Sequence, residues 1–267
     1  MIMRQTEQRK VLICIPTFNE SDNIVPLVEK IYHLLPDIDI LVVDDGSTDG
    51  TREKIIELTK QYSHLKPFFR KRDGGLAGAI LAGFHYAFSH GYEWVLTMDA
   101  DFSHDPHDIP RFLKLASEEK VDVIIGSRHL RGGGVRGWNW QRHFLHFLSR
   151  MYVTLLFGRF TSDFTNNFKM YRVDDLRRFP LEEIMLRMGP GFVGHTLLIY
   201  LFSREGYRIR ELPVVFPDRQ QGRSKMSLRE MLIGSLAILK VRLSLKKLRS
   251  LSTAREDKVS QGISRQF

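Results

Sequence analysis

Five short apolar runs, at residues 11–15, 38–43, 66–69, 94–98 and 121–125, alternate with stretches of helical periodicity at 23–34, 51–62, 75–90 and 108–118. Strand-length runs spaced by helix-length segments predict βαβ units and an α/β domain with a mostly parallel sheet. In such sheets ligands bind beyond the carboxyl ends of the strands. The polar segments that leave those ends are 16–21, 44–49 and 99–105, and chemistry is expected there. After Gly126 the texture changes to Arg- and Gly-rich sequence at 127–137, then to an aromatic, helix-like stretch at 138–160. A hairpin-like passage at 207–216 leads into a basic loop at 217–225, and a second helical pattern covers 227–250. The organisation read from this is one domain over 1–226, with a nucleotide-binding half at 1–130 and an acceptor half at 131–226. A basic amphipathic helix at 227–250 and a flexible tail at 251–267 follow.

A chain of 267 residues, 43% apolar and 27% charged, can bury a full core without disulfides. Its single cysteine, Cys14, lies inside the first apolar run, which predicts a buried thiol and fits a reducing compartment. Residues 1–10 are polar, so no secretory leader is expected. The stretch 188–203, free of Asp, Glu, Lys and Arg, is too short and too interrupted by Gly and Pro to span a bilayer. Any membrane association is therefore peripheral, on the cytoplasmic face, or through another subunit. The net charge of +9 calls for an anionic partner, and the basic residues concentrate after Arg128. No RNA- or DNA-binding motif accompanies them, which sets nucleic acid aside.

Asp99 and Asp101 end the fourth run as D-A-D, and alternation puts both carboxylates on one side of an extended chain. Taken alone such a pair is a solvated acidic turn. At the end of a buried strand it becomes a pair of hard oxygen ligands for Mg2+ or Mn2+, with coordination positions left for a diphosphate. Asp44 and Asp45 leave the second run in the same way and can accept hydrogen bonds from a base or a ribose hydroxyl, as can Glu20 after the first. Ser47, Thr48 and Asp49 read as caps for the helix that follows. Gly74, Gly75, Gly78 and Gly83 fit neither the GxGxxG fingerprint nor a P-loop, so redox cofactors and ATP hydrolysis lose ground, and close helix packing accounts for Gly78 and Gly83. His143 and His146 sit one turn apart on a predicted helix without an evident third metal ligand, and His104, His107 and His195 read with them as surface or interfacial residues.

The segments IPTFNE, VVDDGSTDGT, MDADFSHDP, GSRHLRGGGVRGW with Arg142 after it, DFTNNFKMYR and DRQQGRSK occur in this order over 11–227. Together they resemble the motifs of the dolichol-phosphate mannose synthases, inverting family 2 glycosyltransferases. The resemblance implies a GT-A fold, a Rossmann-like domain for nucleotide-diphospho-sugars. It implies that Pro16, Phe18, Glu20, Asp44 and Asp45 line the nucleoside pocket, and that Asp99, Ala100 and Asp101 meet the metal and the diphosphate. It further implies that Arg128, Arg142, Arg219 and Lys225 surround an acceptor phosphate. Ser103 stands where some relatives carry Gln, and Gly194, His195 and Thr196 stand where Gln and Glu are expected beside the acceptor.

The activity that follows is transfer of a hexose, mannose from GDP-mannose foremost, onto a polyprenyl or dolichyl phosphate at a membrane surface. A separate membrane subunit is a possible partner. A different donor such as UDP-glucose, or a hydroxyl acceptor, remains the alternative. A hydroxyl acceptor requires a carboxylate base, for which Asp163 is the candidate. The aromatic and basic residues of 144–160 and 231–249 suit an anionic bilayer surface.

Overall fold

The computed structural model describes residues 10–71, 73–188, 192–217 and 228–243. The first half runs β1 (Val11–Thr17), α1 (Ser21–Leu34), β2 (Asp39–Asp44), α2 (Thr51–Gln61), β3 (Leu65–Phe69), α3 (Gly75–Ser89), β4 (Trp94–Thr97), α4 (Ile109–Glu118) and β5 (Val123–Ser127). The second half runs β6 (Gly134–Val135), α5 (Trp140–Phe157), β7 (Lys169–Arg172), α6 (Val173–Leu176), α7 (Phe192–Arg204), β8 (Ile209–Pro213), β9 (Val215–Phe216) and α8 (Leu228–Leu243). Seven strands form one sheet in the order β3-β2-β1-β4-β7-β5-β8. Every pairing in it is parallel except those of β7, which runs antiparallel to both β4 and β5.

The apolar runs form strands because both faces of this sheet are covered. Along β1, Leu12 and Cys14 join the core beneath α3 and α7, whereas Ile13 and Ile15 join the core beneath α1, α2 and α4. Burial on both sides explains why the runs are continuous rather than alternating. Cys14 is fully buried, and burial pushes its thiol up to about 12, so it packs as an apolar residue. Directly against it lies Gly83 of α3, where an added β-carbon would overlap Cys14 Sγ. Within the stretch at 188–203, residues 192–203 belong to α7, whose Leu198, Ile199 and Phe202 are buried in the same core. Among the described residues no helix is long and apolar enough to cross a membrane.

One expectation is corrected. The passage at 207–216 is not a hairpin: β8 pairs parallel with β5 and β9 pairs parallel with β6. The chain leaves the main sheet between Pro213 and Val215 and continues in the same direction, with Val214 N bonded to Ser127 O. The C-terminal helix forms as α8 and packs on α5 and α7, with Tyr152 Oη donating to Ser235 O at 2.8 Å. Leu236, Leu239 and Leu243 are nevertheless exposed beside Lys240 and Arg242, so an amphipathic division is not confirmed, and 244–250 lies outside the described residues.

The closeness of α3 to β1 gives a stability test. Gly83→Ala should cost about 1–3 kcal/mol, the usual penalty of overpacking a closed core, seen as a lower urea midpoint at unchanged slope. An unaltered midpoint would mean that α3 and β1 can separate without loss.

Candidate active site

Because β1, β2 and β4 are parallel, their carboxyl ends deliver Phe18 to Glu20, Asp44 with Asp45, and Asp99 to Asp101 to one edge of the sheet. The antiparallel β7 brings its preceding segment, 163–168, to that same edge. The first two loops are knitted together: Asn19 N donates to Ser47 Oγ at 2.8 Å, Thr48 N to Asn19 Oδ1 at 3.0 Å and Ser21 N to Asp49 Oδ2 at 3.0 Å. Asn19 takes a left-handed backbone (φ 54), which its short polar side chain tolerates. The residues read as caps thus mainly join loops, and Gly50, also left-handed, is the N-cap of α2.

Pro16 is buried within β1 and paired with Val43, while Phe18 is half-buried at the rim. Glu20 Oε2 accepts from Asn23 Nδ2 at 2.9 Å. Asp44 is fully buried, and its carboxylate accepts from Arg52 and from the backbone N–H groups of Gly46 and Ser47. Asp45 forms an ion pair with Arg70 at 3.2 Å. Both carboxylates are therefore engaged in salt bridges, and the sequence reading did not pair them with Arg52 or Arg70.

Asp99 Oδ1 accepts from Asn167 Nδ2 at 2.8 Å, and Asp101 Oδ1 accepts from Ser103 N at 3.1 Å. Ala100 is buried between them, and Phe102 turns the chain with φ 60, a strained value for a bulky residue. His104 is not at the surface. Its Nδ1 accepts from Asp99 N at 2.8 Å, so its proton sits on Nε2 and is donated to Asn166 Oδ1 at 3.0 Å. Burial holds this imidazole neutral and the Phe168 ring stacks on it at 4.8 Å. Both of its nitrogens are occupied, which removes His104 as a metal ligand. Among the described residues no three His, Cys, Asp or Glu side chains gather into a metal-holding group. The protein offers two hard carboxylates, a partial oxygen set that fits Mg2+ or Mn2+ completed by diphosphate oxygens.

Facing this acidic rim, Arg128 grips Asp163 as a fork, Nε to Oδ2 and Nη2 to Oδ1, both at 2.7 Å, while Arg128 N also donates to Oδ2 at 3.1 Å. Burial pushes the Asp163 carboxyl up, but the bonds and charge of Arg128 outweigh it and hold it well below the usual range. Both oxygens of Asp163 are thus committed, and it is poorly placed to act as a base. Glu211 of β8 orders the approach to it, accepting from Thr161 Oγ1 at 2.9 Å and Ser162 Oγ at 2.7 Å. The Trp138 ring lies 5.7 Å from the Arg128 guanidinium and 4.1 Å from that of Arg142, so one indole brings the two arginines together. Arg142 itself is exposed on the first turn of α5, which Asn139 caps by accepting from Arg142 N at 2.9 Å. Arg219 and Lys225 lie outside the described residues.

Beneath the rim, Lys169 is fully buried and donates to Phe164 O at 3.2 Å. Burial pulls its ammonium down to about 7. His195 is also buried, and neither of its nitrogens has a hydrogen-bond partner among the described residues.

The order of strands and the carboxylate edge belong to the GT-A glycosyltransferases. The solved structure of glucosyl-3-phosphoglycerate synthase from Mycobacterium tuberculosis, in complex with Mn2+, UDP and glucosyl-3-phosphoglycerate, superposes with a TM-score of 0.63 at 19% identity, covering 88% of this chain and 79% of that one. A mannosyltransferase from Pyrobaculum calidifontis, in complex with GDP-Man and Mn2+, does so with a TM-score of 0.55 at 17% identity, covering 96% and 76%. Residues 12–179 match glycosyl transferase family 2, and the chain belongs to that family. It is 35% identical over 220 residues to the polyprenol monophosphomannose synthase of Mycolicibacterium smegmatis, covering 82% of each chain. It is 34% identical over 218 residues to the undecaprenyl-phosphate mannosyltransferase of Micrococcus luteus, covering 82% of this chain and 88% of that one.

Lys169 yields a pH-dependent stability. Its folded value of about 7 lies below the unfolded lysine value of about 10.4, so between the two the unfolded chain binds more protons. The penalty for burying it is full below about pH 7 and lifts as pH rises toward about 10. Urea midpoints at about pH 7 and pH 9 should therefore rise more in the parent than in Lys169→Met. An equal rise in both proteins would assign the effect to other groups.

Proposed function

We propose that this glycosyltransferase moves mannose from GDP-mannose to the phosphate of a polyprenyl or dolichyl phosphate, with inversion at the anomeric carbon. The observation that carries the reading is the pairing of an acidic rim, Asp99 and Asp101, with a basic ledge, Arg128, Trp138 and Arg142, at one sheet edge. The two mannosyltransferase relatives, similar across 82% of the chain, supply the sugar and the lipid class.

In this reading Pro16, Phe18, Glu20, Asp44 and Asp45 form the nucleoside side of the pocket, and Ala100 lets the diphosphate approach. Asp99 and Asp101 would hold Mg2+ or Mn2+. A cation bound there supplies charge that stabilises the departing diphosphate. An oxygen of the acceptor phosphate attacks the anomeric carbon from the face opposite the donor oxygen. The new carbon–oxygen bond forms as the old one breaks, and the bonding pair leaves on the diphosphate. A phosphomonoester has a second pKa of about 6, so near neutrality the nucleophile needs no protein base. That requirement agrees with a site in which the candidate base Asp163 is committed to Arg128. Arg128, Arg142, Arg219 and Lys225 hold the acceptor. Asp163 offsets the charge of Arg128, so that arginine orients the phosphate with a reduced pull on its charge.

The lipid must reach this ledge from a bilayer. The outer face of α5 leaves Trp140 at 74% exposure and Leu155 at 82%, with Phe144, Phe147 and Met151 between them. An apolar helix face of this size suits the interfacial layer of a membrane. The reading places the protein peripherally on the cytoplasmic face, alone or with a membrane subunit.

Three outcomes follow. Asp101→Asn should lower turnover by more than the roughly 10–100-fold that loss of an outer-shell metal partner costs, with the fold kept by circular dichroism. Full activity in EDTA would refute the metal role. Arg142→Ala should lower kcat/KM for polyprenyl phosphate by about ten- to a hundredfold and leave GDP-mannose affinity by calorimetry unchanged; equal use of free polyprenol would overturn the phosphate acceptor. Phe144→Ser with Phe147→Ser should reduce co-sedimentation with vesicles containing anionic lipid, and unchanged sedimentation would remove α5 as the docking face.

A further inference from the structure

Arg142, His146 and Arg150 follow one another by single turns of α5 and so share one stripe of the helix. Arg142 at its start is exposed, while the half-buried His146 and Arg150 turn onto the loop that follows β5. Arg150 Nη1 lies 3.2 Å from His129 Nδ1, and His129 Nε2 lies 3.0 Å from His146 Nε2. The two imidazoles are within 15° of parallel with centroids 5.2 Å apart, and Trp138 meets His146 edge-on at 5.5 Å.

Donor chemistry leaves this chain one protonation state. A guanidinium donates and never accepts, so His129 Nδ1 presents its lone pair to Arg150 and the His129 proton sits on Nε2. That proton is donated to His146 Nε2, which places the His146 proton on Nδ1. Charging His146 would force an N–H toward His129 Nε2 and drive the His129 proton onto Nδ1, against Arg150. Charging His129 sets its Nδ1–H against the same guanidinium. Both rings must stay neutral for the chain to exist.

We infer that Arg150, His129 and His146 are positioning residues for the acceptor step: a neutral hydrogen-bonded latch that fixes α5, and with it Arg142, against Arg128. This rests on the acceptor reading given above. His129 adjoins Arg128 in sequence and His146 lies one turn beyond Arg142, so the latch sets the separation of the two arginines around Trp138. The groups facing the pair are Arg128 and Asp163 from the flanking loops, Arg150 from α5 and Glu211 from β8, and Arg159 faces Arg150. Burial pulls both imidazoles down, His146 to about 3, and the arginines add to it against the opposing charge of Asp163, in agreement with the state the geometry demands. Arg150 Nε is buried without a hydrogen-bond partner among the described residues. Burying that donor unpaired is a cost the helix bears while Arg150 reaches His129.

Long-range 1H–15N NMR on the full chain reads the latch directly. His129 should be the neutral Nε2–H tautomer and His146 the neutral Nδ1–H tautomer near neutral pH. A charged ring, or the opposite tautomers, would overturn the inference. In steady-state assays with polyprenyl phosphate, Arg150→Met should raise the acceptor KM by about three- to tenfold while GDP-mannose affinity by calorimetry stays at the parent value. His146→Gln, whose amide can still accept from His129, should remain close to the parent, whereas His146→Phe should follow Arg150→Met. Relieved of the guanidinium, His129 in Arg150→Met should also titrate nearer the ordinary histidine range of about 6.5, adding a loss of acceptor efficiency on the acid side. The ionisation of the acceptor phosphate is common to both proteins and cancels in the ratio of their profiles. Unchanged acceptor KM in Arg150→Met and His146→Phe, with Arg142→Ala still impaired, would discard the latch and keep the acceptor site. If Arg142→Ala were also unimpaired, the acceptor reading itself would fall.

Discussion

Because β7 runs against its neighbours between β4 and β5, the segment that precedes it ends at the carboxyl edge of the sheet instead of the opposite one. Everything that faces the D-A-D loop depends on that reversal. Asn167 reaches Asp99, Asn166 fixes His104, and Asp163 receives Arg128, all from seven residues before or at the start of one short strand. A parallel strand in the same slot would have sent these side chains to the far side of the domain. The reversal also has a cost. Lys169, at the start of β7, is buried between strands with Phe164 O as its hydrogen-bond acceptor, and burial depresses its pKa.

The reversal also sets the electrostatics of the two rims. On the acidic side, Asp99 and Asp101 each keep one oxygen on a neighbouring N–H, which orients the carboxylates without neutralising them. Across the edge, Arg128 is paired with a buried carboxylate and stacks near Phe216 and Trp138, so its charge is offset and its position is fixed. A site that must hold two anions, a diphosphate and a phosphate, and let one attack the carbon attached to the other, needs this asymmetry. Strong net cationic charge near the acceptor would lower its nucleophilicity, and an unpaired carboxylate there would repel it.

The first half of the fold was legible because its strands are buried on both faces. Runs of Val, Ile and Leu in β1, β2, β4 and β5 leave no alternative to a covered sheet, and their boundaries agree with the sequence reading to within about two residues. The spacing of their polar ends likewise revealed the D-A-D loop. What remained hidden depends on partners distant in sequence. Asp163 meets Arg128 across 35 positions, and Arg52 takes up Asp44, a residue the sequence suggested only as a ligand. The strand β7, KMYR, carries a cation at each end and has no apolar run, so only the hydrogen-bond ladder identifies it. His104 read as one of several polar residues in a loop, and nothing local showed that Phe168 would cover it.

The helix α5 joins the two environments that a lipid-phosphate transferase must bridge. Its outward residues are apolar and exposed, its inward stripe is cationic and imidazole-bearing, and its N-terminus carries the arginine that shares Trp138 with Arg128. In the proposed docking, a rigid helix with these two faces would tie the lipid-facing side to the carboxylate edge through Arg142. Its contacts to His129 are hydrogen bonds through His146 and Arg150 rather than ion pairs between opposite charges, so salt screens them little. In that docking the helix would meet a bilayer on one side while the geometry on the other side is kept.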